Sequence, residues 1–345
     1  MTAGIEMCHG SCRPGIRTGT VGIVTGGRRT VAIVNPEAGS GRAARRWAAE
    51  EPKLVARWPE LKIVHTERPG HATVLARQAL EDGVDLVVAV GGDGTANEVL
   101  SAFTDEGGTN RFPDAELGLL GGGTGGDFLR QLGSPAWPEQ LEALETPGHV
   151  VDYGVMRFVD HDGSPKVRPF LNAASAGLTG HVVARVLGAG RLSRALLGAK
   201  GIYLWHSVGG ILSYRNQPVQ VQVDDGEPRT LELALATATN GQYFGGGMWI
   251  APKAELDDGQ LEVIYTGDIS TGRMLGLLSK VFAGKHIGHP KVTAKRGQRL
   301  RITGVREEDR VLVELDGEQP GRLPAELWIV PRGIRVRVAG LPAAS

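Results

Sequence analysis

The chain has 345 residues, enough for two domains of ordinary size, each with its own core. Its 38 basic and 38 acidic residues cancel, and only 5% of residues are aromatic, so neither a global field nor a base-stacking surface favours nucleic acid, which is excluded as a partner. Only Cys8 and Cys12 are present, which excludes a disulfide framework and fits a reducing cytoplasm.

Residues 1–28 lack the unbroken apolar run of a secretion signal and read as a disordered leader. Cys8, His9 and Cys12 lie in it with no fourth metal ligand nearby. No stretch of the chain reaches the roughly 18 apolar residues that span a bilayer. A first strand is expected over Thr30 to Val34, followed by the loop Asn35-Pro36-Glu37-Ala38-Gly39-Ser40-Gly41 and an Ala/Arg-rich helix that Pro52 interrupts or restarts. Next come a strand over Leu61 to Thr66, a helix over His71 to Leu80, a strand over Val87 to Val90, a helix through Phe103, and a strand over Leu117 to Leu120. Strands alternating with helices imply a parallel sheet, with ligands at the carboxyl ends of its strands.

Beyond about Val150 the texture changes to period-two strands joined by turns, so the second half is expected to be mainly antiparallel. Strands are read at 150–158, 167–173, 219–223, 231–238, 261–265, 299–303, 310–315, 326–330 and 334–338. A helical insertion over about 177–214 breaks the pattern. Its apolar residues, Leu192, Leu196, Leu197, Tyr203, Leu204 and Trp205, suit packing on the sheets or the lining of an apolar pocket, and packing is the expectation.

The run VVAVGGDGTANEVL (Val87 to Leu100) carries the most chemistry. A buried strand feeds Gly91, Gly92 and Gly94, which admit a close approach that a Cβ would forbid, and Thr95 and Ala96 open a helix whose N-terminal N–H groups favour an anion. Asp93 would repel a bare phosphate, so it either holds Mg²⁺ beside one or acts structurally as a cap.

GGDGTANEV resembles the nucleotide loop of the diacylglycerol kinase catalytic-domain family, which includes sphingosine and ceramide kinases and bacterial soluble lipid kinases. Asn35-Pro36-Glu37-Ala38-Gly39 looks like that family's first phosphate loop, and Thr66 followed by Gly70-His71-Ala72 resembles its second strand ending. Asn240-Gly241, Gly245-Gly246-Gly247-Met248, Ala251-Pro252 and Leu256-Asp257-Asp258-Gly259 resemble its second-domain signature, and Asp316-Gly317-Glu318 its catalytic turn. At Gly121 to Asp127 the chain departs from the pattern: Gly121 stands for a proline and Gly126 for an asparagine, while Thr124 and Asp127 are kept.

The resemblance implies an α/β nucleotide-binding domain over 29–150, with a Rossmann-like parallel sheet of the NAD kinase and phosphofructokinase kind. A β-sandwich domain over 151–325 follows, then closing strands and tail over 326–345. It implies ATP and Mg²⁺ in the cleft, with contacts from Asn35, Pro36, Glu37, Ala38, Gly39, Thr66, Gly91, Gly92, Asp93, Gly94, Thr95, Ala96, Asn97, Glu98 and Thr124. Glu318 is implied as proton acceptor, with Asp316 orienting the hydroxyl or metal and Asp93 serving the phosphates. A second, structural Mg²⁺ or Ca²⁺ is implied at the Asp258 side chain and the carbonyls of Glu255 and Gln260. The same three letters at Asp225-Gly226-Glu227 read as a plain hairpin turn.

The expected activity is transfer of the ATP γ-phosphoryl group to a primary hydroxyl of a diacylglycerol-like or sphingoid lipid. An NAD kinase-like enzyme and a non-catalytic nucleotide- or lipid-binding regulator are the alternatives. A lipid acceptor implies a cytoplasmic chain acting at the inner membrane face, with Leu204, Trp205 and Ile211 as candidates for an apolar patch. A homodimer is compatible with the chain, and its oligomeric state is not written in the sequence.

Overall fold

The computed structural model describes residues 23–24, 28–39, 41–121, 126–187, 208–306 and 310–341. Thr124, most of the leader, and Leu192, Leu196, Leu197, Tyr203, Leu204 and Trp205 lie outside the described residues. Two residues within the expected leader lie in a strand. Ile23–Val24 (β1) pairs antiparallel with the start of Arg28–Val34 (β2).

In the first half β2, Lys62–His65 (β3), Leu86–Gly91 (β4) and Glu116–Gly121 (β5) pair in parallel in the order β3–β2–β4–β5. Every residue of β4 is buried, as a parallel strand covered on both faces requires. Helix Arg42–Arg57 (α1) places Trp47 and Leu54 against Ala32, Val34, Val88 and Val90 on one face of this sheet. Pro52 neither stops α1 nor divides it, because those buried side chains anchor the helix on both sides of the missing N–H. Helices His71–Glu81 (α2) and Asp93–Phe103 (α3) cover the opposite face, where Ala76, Leu80, Val99 and Phe103 meet Val31, Ile33, Val87 and Leu117. Two short helices, Asp127–Gln131 (α4) and Trp137–Ala143 (α5), complete this half.

The second half runs through His149–Asp160 (β6), Pro165–Phe170 (β7), Ala173–Gly177 (β8), Leu178–Leu187 (α6), Gln217–Val223 (β9) and Arg229–Thr239 (β10). Then follow Tyr243–Phe244 (β11), Met248–Trp249 (β12), Leu261–Gly267 (β13), Thr271–Phe282 (α7), Val292–Gly297 (β14), Arg299–Gly304 (β15), Leu312–Leu315 (β16) and Glu318–Arg337 (β17). The strand pairings within this half are antiparallel, around a core that includes Met156, Phe158, Val221, Leu233, Val263, Ile302, Val313 and Leu327. The turn at Asp225-Gly226-Glu227 joins β9 to β10 as the expected hairpin.

Two features depart from the expected elements. Residues 326–330 and 334–338 are expected as separate strands after a boundary at 325, yet 326–330 and 334–337 fall in one, β17, a strand of 20 residues with a register shift between Val330 and Ile334. Its end, Arg335–Arg337, pairs in parallel with β5, so the second half closes on the sheet of the first. The other is α7, which falls where no element was expected although Met274, Leu277, Leu278 and Val281 keep helical spacing.

Candidate active site

The carboxyl ends of β2, β3 and β4 bring the first loop, Thr66 and the glycine turn to one edge of the parallel sheet. A Cβ on Gly91 would lie 2.3 Å from Thr95 Oγ1, so only glycine lets β4 turn this tightly into α3. The same Thr95 hydroxyl accepts a hydrogen bond from Asn35 Nδ2 at 2.9 Å. Asn35 also donates its backbone N–H to Val90 O (3.0 Å), and its Oδ1 accepts from Glu37 N (3.0 Å), which locks the loop of Asn35 to Gly39 over the turn. Space is left above the turn. Nothing lies within 4 Å of a Cβ built on Gly92, and the Gly94 position meets only Glu318 Oε1, at 3.9 Å. An 11-residue helix thus starts beneath an open cradle of small residues, a geometry that suits phosphate oxygens.

Asp93, Asn97 and Glu98 stand in the same motif but hold other parts of the protein. Asp93 Oδ2 accepts from Asp127 N (2.8 Å) and Oδ1 from Phe128 N (3.4 Å), so this carboxylate caps α4 from the first residue of α3. Burial, reinforced by the neighbouring Asp127 and Asp316 charges, raises Asp93 to about 8. Asn97, 1% exposed, donates to Pro169 O (2.8 Å) and to Asp316 Oδ2 (2.9 Å) and accepts from Arg168 Nη2 (2.9 Å). Glu98 takes the N–H groups of Gly70 (2.9 Å) and Ala72 (3.0 Å) at the start of α2. The side-chain polar atoms of Asn97 and Glu98 are thus engaged by protein, joining α3 to the second half and to α2.

Across the cleft β16 turns into β17 through Asp316 (φ 43°) and Gly317 (φ 89°), the paired left-handed conformation of a tight hairpin for which Asp-Gly is suited. The Asp316 carboxylate is fully hydrogen-bonded within the protein. Its Oδ2 accepts from Leu171 N (2.8 Å) and Asn97, and its Oδ1 from Asn172 N and Ala173 N (both 3.1 Å), so it pins the corner between β7 and β8 to the turn. Both of its oxygens are thereby engaged by protein donors. Glu318 differs, with one carboxylate oxygen facing Gly94 and the other accepting from Arg168 Nη1 at 2.8 Å. Arg168, on β7, holds Glu318 and Asn97 at once. It was missed in the sequence because its contacts span 150 and 71 residues with no local pattern.

Glu314 is a second group with no signal in the sequence. It is 3% exposed on β16, accepts from Ser175 Oγ and from Gly317 N (2.7 Å), and is raised by burial to about 7. Ser175 bonds in turn to Thr179 Oγ1 (2.7 Å), and Thr179 lines an apolar cavity of about 80 Å³ between the sheet and the helices α6 and α7. Leu178, Val182, Ile211, Phe244, Met274 and Val281 form much of its wall. Ile211, read as a candidate for an exposed patch, is 4% exposed and faces this cavity instead.

The loop read as a second metal site does not fit a cation. The Asp258 carboxylate is held by the Arg296 guanidinium and by Gln260 N (2.9 Å), so positive charge already sits where the ion would be. Asp152 organises that loop from below, accepting from Gly259 N and Arg332 N (both 2.6 Å). The departure at Gly121 is compensated within this chain. Its N–H donates to Gln140 Oε1 (2.8 Å), a bond that proline could not make, and its carbonyl accepts from Trp137 Nε1 (2.8 Å). Asp127 Oδ2 accepts from Gly246 N (2.7 Å), tying the motif that follows to the second half.

Two family models match in tandem: the diacylglycerol kinase catalytic domain over residues 29–157 and the YegS C-terminal NAD kinase beta sandwich-like domain over 174–338. The chain belongs to the diacylglycerol kinase catalytic-domain family. It is accordingly a kinase with an alcohol group as acceptor. Among its relatives are the diacylglycerol kinase of Staphylococcus haemolyticus, 28% identical over 88% of this chain and 86% of the relative, and that of Bacillus subtilis, 28% identical over 90% and 96%. In fold it is similar to the crystal structure of a diacylglycerol kinase from Bacillus anthracis, with a TM-score of 0.59 at 22% identity over 92% of this chain and 98% of that one. Among the described residues no helix is long and apolar enough to cross a membrane.

Proposed function

We propose that this kinase transfers the γ-phosphoryl group of ATP to a primary hydroxyl of a diacylglycerol-like lipid, with Glu318 as proton acceptor. One observation carries the reading: a carboxylate from the second half stands over the glycine turn of the first, 3.9 Å from the Gly94 Cβ position. Phosphoryl transfer asks for held phosphates, neutralised charge and a base beside the acceptor, and the cleft offers a candidate for each. Gly92, Gly94 and the N–H groups opening α3 would cradle phosphate oxygens, and the loop of Asn35 to Gly39 would cover the nucleotide. In such a complex Mg²⁺ would supply charge neutralisation at the phosphates.

Glu318, kept in place by Arg168, would take the proton of the attacking hydroxyl. Three hydrogen-bonded steps behind it, through Gly317, Glu314, Ser175 and Thr179, lies the apolar cavity, which favours an acyl-bearing acceptor over a polar dinucleotide. Purified protein supplied with ATP and Mg²⁺ and a panel of diacylglycerol, sphingosine, ceramide and NAD tests the assignment. Phosphate on diacylglycerol is the expected product. Phosphorylation of NAD alone, or nucleotide binding with no product from any acceptor, would overturn it.

A further inference from the structure

Two long stretches of this electroneutral chain contain no acid. Residues 163–223 carry seven Lys/Arg and no Asp or Glu, and residues 269–306 carry nine and none. They supply α6, the helical residues 208–213 and α7, which pack together through Leu178, Val182, Ile211, Met274 and Leu278 over the apolar cavity. In the second stretch Arg296, Arg299 and Arg301 are spent on Asp258, Glu262 and Glu326. Arg273, Lys280 and Lys285 are exposed and form no ion pair among the described residues.

The same segments leave large apolar side chains in water. Leu212 is 63% exposed, Phe282 44% and Ile287 39%. Each follows directly on a residue of the cavity wall, namely Ile211, Val281 and His286. The helices that enclose the cavity thus carry an outer rim of apolar tips among unpaired cations. A soluble partner with an acidic surface would match the cations alone, and an apolar ligand the tips alone. An anionic bilayer offers both, phosphates at the depth of the Lys and Arg heads and acyl chains beneath.

We propose that α6, residues 208–213, α7 and the turn after it form the surface by which the protein docks on an anionic bilayer. Leu212, Phe282 and Ile287 enter the interface while Arg273, Lys280 and Lys285 engage lipid phosphates, and the acceptor passes from the leaflet into the cavity beneath. This rests on the lipid-acceptor reading above and names the surface through which that acceptor arrives.

The test is co-sedimentation, without nucleotide, on phosphatidylglycerol–phosphatidylcholine vesicles and on pure phosphatidylcholine. The expected result is salt-sensitive binding to the anionic vesicles, at least about 10-fold weaker on the neutral ones and in the Phe282→Ser/Ile287→Ser and Lys280→Glu/Lys285→Glu variants. These exposed variants should keep the wild-type melting temperature and phosphorylate a water-soluble short-chain diacylglycerol normally, while losing activity on long-chain diacylglycerol in vesicles. Equal binding to neutral vesicles, variants that bind like wild type, or preferential binding to an acidic polypeptide or DNA would overturn the proposal. Vesicle binding with no phosphorylation of any diacylglycerol would instead remove the lipid-kinase reading and leave the docking surface standing.

Discussion

Glu318 depends on a neighbour from another strand, since its second oxygen is tied to Arg168 and the first is left facing the cleft. Glu318→Gln keeps that hydrogen bond but removes the proposed base, so kcat should fall by about 10² to 10⁴ while nucleotide affinity measured by calorimetry stays within about twofold. Arg168→Met should lower kcat as well, with less effect on KM for nucleotide. Glu314 makes a separate prediction. Its folded carboxyl is raised from 4.5 to about 7, so between those values the folded protein holds a proton that the unfolded chain releases. Stability therefore falls as pH rises through that window, by up to about 3 kcal/mol, and levels off above it. Urea midpoints of the ligand-free protein from pH 5 to 8 should show this decline, and Glu314→Gln should make it shallower by the Glu314 share. Asp93, raised to about 8, acts in the same direction and extends the decline in the wild type.

At the scale of the β4–α3 turn, neighbouring glycines have different duties, and substitution should separate them. Gly91→Ala drives a methyl into Thr95 and should cost about 1–3 kcal/mol, read as a lowered melting temperature. Gly92→Ala meets no protein atom within 4 Å at a backbone φ of −106°, so the fold should be unaffected while nucleotide affinity drops at least about tenfold. Unchanged affinity in Gly92→Ala would mean that phosphates do not lie over this turn. The turn itself was legible in the sequence because its letters are local: an apolar β-branched run, closely spaced glycines and a helix start. The partners of its polar residues were not. Asn97 meets Asp316 across 219 residues and Arg168 across 71, separations that no periodicity records. For α7 the reason differs, since Gly272 and Gly276 dilute a helical pattern that Met274, Leu277, Leu278 and Val281 do carry.

For the molecule as a whole, the change near residue 150 from alternating to antiparallel texture was visible in the sequence, but the way the halves are joined was not. Arg335–Arg337 read as part of a last strand, and nothing in their letters says that they add to β5. Arg337, 2% exposed, bonds Glu116 of β5 and the Leu144 carbonyl, so the seam carries a buried ion pair. Arg337→Met would leave Glu116 with its half-exposed partners Arg28 and Arg335 and should destabilise the protein by about 3 kcal/mol. Because one strand belongs to both halves, calorimetry should show a single cooperative transition for the wild type, and two resolved transitions would contradict the shared seam.

The bonds of Asn97 and Glu98 bear on how such sequences diverge. Both letters belong to GGDGTANEV, the run that carries the family resemblance, yet each is employed in fastening helices and corners. Selection for a stable fold alone would therefore preserve them. On the role proposed for Glu318, a descendant would lose phosphotransfer through one change there and keep GGDGTANE letter for letter, and the side chain opposite the turn would be the better mark of a working enzyme.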